Sequence, residues 1–177
     1  MKKIFFMLAT GIITTVSVHA QVMQLKASAT KFDMLQTLIP VKDPLPAENK
    51  NLIKSKAIRD FSKTFETVTN EDWYVIKNGF MVKFKKQDIQ HRVIYNKRGN
   101  WIATFRYYNE DQLRSDVRNL IKSTWYDAAI THITEVIFGN KTAYLVNTED
   151  KTSIKTIKVV NNDMEICQEI IKTAQNP

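Results

Sequence analysis

The chain has 177 residues, with 26 Lys or Arg against 18 Asp or Glu and a formal charge of +8. Its single cysteine, Cys167, rules out an internal disulfide framework, so packing must hold the fold. Four glycines, one of them in the first twenty residues, leave no phosphate-cradling loop.

Lys2 and Lys3 open the chain, Ile4 to Val18 carries no charge, and Val18-His19-Ala20 offers a signal-peptidase site before Gln21. The apolar run is short for a bilayer, which needs about 20 apolar residues, and Thr10, Thr14, Thr15 and Ser17 dilute it. Residues 1–20 therefore read as a cleavable signal peptide, leaving no transmembrane anchor and a periplasmic or secreted protein. No cysteine follows the cut to take a lipid, and 24 basic residues against 18 acidic ones give the remainder a charge of +6. Export makes nucleic acid an improbable partner. Acidic proteins, anionic glycans and lipid headgroups are what such a surface meets.

Pro40, Pro44 and Pro46 mark residues 21–50 as an extended linker. Ile53, Ala57, Phe61 and Phe65 then recur at helical spacing, predicting an amphipathic helix over 51–66. Four strand-like runs follow at 73–77, 80–85, 89–95 and 101–108, the first two separated by the turn pair Asn78-Gly79. Asn109 with Gln112 resembles a capping box for a second helix striped by Leu113, Val117, Leu120, Ile121 and Trp125. Four more runs occupy 131–138, 142–147, 152–160 and 164–170.

The expected fold is α+β. Two helix-plus-four-strand repeats, 51–108 and 109–171, form one domain over 51–171, an antiparallel sheet with helices packed on one face.

Phe61 and Phe65, Trp73, Phe80-Met81-Val82-Lys83-Phe84, Val93-Ile94-Tyr95-Asn96 and Gly99-Asn100-Trp101 follow one another in order. This run is similar to the β-lactamase-inhibitor-like, PepSY-like family of exported proteins. Leu113, Val117, Ile121 and Tyr126 resemble its second helix, and Ile133, Val136 and Tyr144 the strands after it. The chain departs from the family at Asn109-Glu110-Asp111-Gln112, where a proline usually leads into the second helix. The resemblance covers roughly 51–170 and implies an α+β fold and a noncatalytic role in binding or restraining another protein.

Beyond the leader the only histidines are His91 and His132, on different expected strands and without ligand spacing, so neither a metal nor another cofactor is expected. Cys167 sits in an alternating strand context where a thiol packs as a small apolar group. Glu71-Asp72, Glu110-Asp111 and Glu149-Asp150 flank turns or helix starts, where acids solvate the chain. No catalytic residue emerges, and the chain does not read as an enzyme.

Strand parity offers a binding surface instead. Phe80, Val82, Phe84, Val93, Ala103 and Phe105 share the core parity, joined by Trp101, while Tyr74, Lys83, Lys85, Arg92, Arg106 and Tyr108 share the other. The second set is the expected partner-binding face, since Tyr and Arg dominate binding hot spots. An acidic exported protein is the expected partner, and an envelope module for anionic glycan or lipid headgroups is the alternative. Mature protein recovered outside the cytoplasm should begin at Gln21 by mass spectrometry; intact Met1 there would exclude the signal peptide.

Overall fold

Strands in this chain turn straight back on themselves, because the links between them hold residues that accept tight-turn geometry. Gln87 and Asp88 take φ of 49° and 62°, and Asn161 and Asn162 take 52° and 67°. Two consecutive positive φ values are what a two-residue hairpin needs to match the twist of its strands. The computed structural model describes residues 51–173, so the expected signal peptide (1–20) and linker (21–50) lie outside the described residues.

Helix α1 (Ser55–Thr64) precedes strands β1 (Asp72–Ile76), β2 (Gly79–Lys86), β3 (Ile89–Asn96) and β4 (Trp101–Tyr108). A short 3-10 turn at Glu110–Gln112 and helix α2 (Ser115–Thr124) come next. Strands β5 (Ala129–Phe138), β6 (Lys141–Glu149), β7 (Ser153–Val160) and β8 (Asp163–Ile171) complete the domain. All eight strands make one sheet in the order β1-β2-β3-β4-β5-β6-β7-β8, each antiparallel to the next.

This corrects the expectation of two helix-plus-four-strand repeats. The β4–β5 ladder runs from Thr104 opposite Ile137 to Tyr108 opposite Ile133, so the supposed boundary falls inside a single sheet. Each strand carries unsatisfied amide and carbonyl groups along both sides, and joining β4 to β5 removes two edges that separate units would expose. The described residues are dominated by the sheet, with two ten-residue helices as the minor part.

Both helices pack on the same sheet face, in two separate clusters. Ala57 and Phe61 of α1 bury against Trp73, Phe80, Val82, Phe84, Val93 and Tyr95. Phe61 meets Trp73 and Phe84 edge-on at centroid distances of 5.5 and 5.2 Å, an arrangement that aligns ring edges with ring faces. Val117 and Ile121 of α2 bury with Tyr108, Ile133, Tyr144, Val146 and Ile157. The expected capping box does not form: Asn109 makes no side-chain cap, and α2 begins only at Ser115. Glu110 pairs instead with Arg118 at 2.6 Å.

Gly79 is required by crowding. A Cβ built there would stand 1.9 Å from the Tyr95 carbonyl oxygen, a backbone atom that cannot swing aside. At the far edge, Cys167 corrects its expected packing: it is exposed on β8, at a register irregularity between Ile166 and Gln168.

Phe84 is 3% exposed and touches Phe61, Phe65 and His91. Phe84→Ala should cost ~3–5 kcal/mol in denaturant unfolding, and Trp101→Ala, at a half-buried position, should cost less. An unchanged Phe84→Ala midpoint would place this aromatic group outside the core.

Candidate partner-binding face

The sheet face away from the helices is set by register. Lys83 stands opposite Arg92, Arg92 opposite Phe105, and Phe105 opposite Val136. The next row along runs Tyr74, Met81, Ile94 and Ala103. On the other side, Lys85, Gln90 and Tyr107 form a third row. The face therefore has a basic, aromatic corner on β2 and β3, and an apolar strip through Met81, Ile94, Phe105 and Val136. These strip residues are buried, and neither described helix packs on them.

Of the residues expected to bind a partner, Tyr74, Lys83, Lys85 and Arg92 do share this face. Lys85 is exposed, Lys83 and Arg92 are half-buried, and Tyr74 is buried. Arg106 and Tyr108 do not share it. They sit on the helix-covered face, where both reach one oxygen of the buried Glu135. Arg106 Nη1 donates to Glu135 Oε2 at 2.8 Å, and the Tyr108 hydroxyl donates to the same oxygen at 2.7 Å. Burial first, and the Glu135 bond second, hold the Tyr108 hydroxyl far above its ordinary pKa. Tyr108 belongs to the α2 cluster, so its role is structural.

A β-bulge causes the exchange. Ile94 pairs with Ala103 and Tyr95 with Trp101, leaving Ile102 with no residue opposite. One extra residue in a strand flips every later side chain to the other face. Trp101 thus packs against the α1 cluster, while Ala103 and Phe105, expected to share its parity, point away from the helices.

The bulge also delivers Tyr107, which the expected face left out, beside His132, weighed from the sequence only as a metal ligand. The Arg92 guanidinium carbon lies 4.9 Å from the centre of the Tyr107 ring, and Tyr107 stacks on His132 at 6.2 Å and 17°. Arg92, Tyr107 and His132 form a ladder across β3, β4 and β5. Burial raises the Tyr107 pKa and the Arg92 charge partly offsets it. The signal available in the sequence was the bulky Arg-Tyr-Tyr run at the end of β4, once the flip is allowed for.

Like charges opposite one another weaken a sheet, and Lys83 and Arg92 are such a pair. Neither has an ion-pair partner among the described residues, and Arg92 Nε is buried without a hydrogen bond. An open groove of about 760 Å³ borders this corner, lined by Lys83, Lys85, Gln90, Tyr107 and His132 along with Asp72, Asp88 and Asp111. Lys85 is committed to Asp88 at 2.9 Å, and Lys83 stands between Arg92 on β3 and Asp72 on β1. His91 lies on the opposite sheet face from His132, stacked on Phe84 at 4.8 Å. No group of side chains suited to a metal ion occurs among the described residues.

No family profile matches the chain, and no curated protein matches it either. Solved structures do share its fold. A Bacteroides ovatus protein of the DUF2874 family superposes with a TM-score of 0.56 at 14% identity, over 67% of this chain and 87% of its own. A Bacteroides eggerthii protein provisionally assigned to the periplasm gives 0.54 at 14% identity, over 67% of this chain and 88% of its own. A BLIP-like protein from Bacteroides fragilis gives 0.51 at 17% identity, over 69% of this chain and 89% of its own. The fold is BLIP-like.

If Tyr108 is structural, Tyr108→Phe should lower stability by about 1 kcal/mol through the lost hydrogen bond to Glu135. It should leave the basic corner on the other face unchanged. A stability equal to that of the unaltered protein would remove Tyr108 from the core network.

Proposed function

We propose that this chain is an exported, noncatalytic binding protein of the β-lactamase-inhibitor-like, PepSY-like kind. It engages an acidic protein partner through the corner of the sheet formed by Tyr74, Lys83, Lys85 and Arg92, with Tyr107 and His132. The observation that carries this reading is the Lys83–Arg92 pair. Two cations facing one another across a ladder cost stability in the isolated protein, only Lys83 has an acid, Asp72, opposite it on its other side, and a carboxylate from a partner would relieve the cost at Arg92.

Other features support the same reading. The signal-peptide pattern of residues 1–20 agrees with the periplasmic assignment of one structural neighbour, so the protein works in the periplasm or outside the cell. Another neighbour is BLIP-like, which favours an inhibitory or restraining role over catalysis.

Charges at this corner add little to folding, typically ~0–1 kcal/mol for a surface pair, while charge complementarity governs encounter. A Lys83→Glu, Lys85→Glu, Arg92→Glu variant of the mature protein should melt close to the parent yet bind the captured partner at least tenfold more weakly. Association of the parent should slow as salt rises. Tyr107→Ala should act through faster dissociation. A folded triple variant that binds the same partner with parental affinity would rule out this corner, and capture of polysaccharide or anionic lipid in place of protein would overturn the choice of partner.

A further inference from the structure

The helix-covered face holds a second feature, independent of the basic corner. The two hydrophobic clusters do not meet. Between them the sheet floor turns polar, with His91, Thr104 and Glu135 buried and Arg106 beside them. A cleft of about 590 Å³ opens above this floor, within the size range of a small-ligand site. Its walls are apolar and fixed in place. Phe65 is wedged against Phe61 and Phe84 at 5.3 and 4.8 Å, and the Trp101 indole donates to Thr104 Oγ1 at 3.0 Å.

The two ends of the cleft differ in charge. Asp60 lines the end where Tyr95 lies, and Lys86 and Arg106 line the part around His91. Tyr95 is wholly buried, yet its hydroxyl makes no hydrogen bond of ordinary geometry despite the nearby Asp60 carboxylate. An ammonium at that end would donate to both oxygens. At the other end, the His91 imidazole has Nδ1 3.0 Å from the Ile89 carbonyl, an acceptor only, so Nδ1 carries the proton. Burial chiefly, with the charges of Arg106 and Lys86, holds the His91 pKa below its usual value, as expected where the local field is positive. Arg106 gives one nitrogen to Glu135 and keeps further N–H donors for an anion.

Tyr95 and His91 are four residues apart on β3, ~13 Å at a strand rise of ~3.3 Å per residue. A free amino acid is too short to span that separation between an ammonium and a carboxylate. An extended peptide of three or four residues matches it.

We propose that the cleft beside α1 binds a short peptide with free termini, its amino group toward Asp60 and Tyr95, its carboxylate toward Lys86 and Arg106, and an apolar side chain between Phe65 and Trp101. Isothermal titration of the mature protein with the tripeptide Ala-Phe-Ala tests this, with its N-acetylated and C-amidated forms as comparisons. Free tripeptide should bind, and blocking either terminus should weaken binding at least tenfold. Lys86→Gln, confirmed as folded by its melting curve, should distinguish the amidated from the free peptide several-fold less than the parent does. Asp60→Asn should likewise lose discrimination against the acetylated form. Equal binding of free and blocked peptides, or no heat of binding at millimolar peptide, would overturn the proposal. The triple charge variant of the opposite face should bind tripeptide as the parent does, which keeps the two readings separable.

Discussion

An eight-stranded antiparallel sheet has two faces to dispose of, and among the described residues two ten-residue helices are available for the task. Eight strands about 4.8 Å apart span ~34 Å, while two helices of ~10 Å diameter laid side by side cover ~20 Å of that width. The shortfall shapes the molecule. Both helices go to one face, where each gathers its own aromatic or aliphatic cluster. The cleft opens on the sheet floor beside α1, and β8 is left exposed along nearly its whole length.

A polar seam lies beneath the cleft. Side chains on the floor of a cleft need not be apolar if they pair with one another, so Thr104, Arg106 and Glu135 are tolerated in the middle of an otherwise apolar face. They are not left bare. Arg106 lies over the Tyr108 ring at 5.4 Å while both donate to Glu135, so the carboxylate is matched by a charge and a hydroxyl. A buried carboxylate with one of these partners removed would be costly, which ties the seam to the α2 cluster through Tyr108.

Much of this was legible in the sequence, and the limits are physical. Strand positions were readable because apolar alternation and short polar turns coincide: the expected 101–108 run is β4 itself, and the others differ by a residue or two at their ends. The apolar stripes of both helices were equally plain. Face assignment failed on β4 alone, since parity counting assumes an unbroken ladder and the unpaired Ile102 breaks it. No residue type marks such a bulge, so Arg106 and Tyr108 were placed with the partner-binding set and Tyr107 was passed over. The repeat reading failed for a different reason. A recurrence of element types along the chain says nothing about whether the strands of one half hydrogen-bond to those of the other, and β4 and β5 do.

The strand order carries a consequence for how the fold is reached. In a meander every strand pairs with its immediate successor, so no pairing waits for a distant part of the chain. Contacts close in sequence have the smallest loop-closure cost and form fastest. For a polypeptide threaded unfolded across a membrane, amino end first, each emerging strand finds its template already in place. The aromatic cluster of α1 needs only β1 to β3 to close, so a nucleus can assemble before β5 to β8 have crossed. Growth then proceeds by adding one strand at a time to the last edge. At every stage a single growing edge is offered to the next segment of the same chain, which shortens the interval in which it could pair with another molecule.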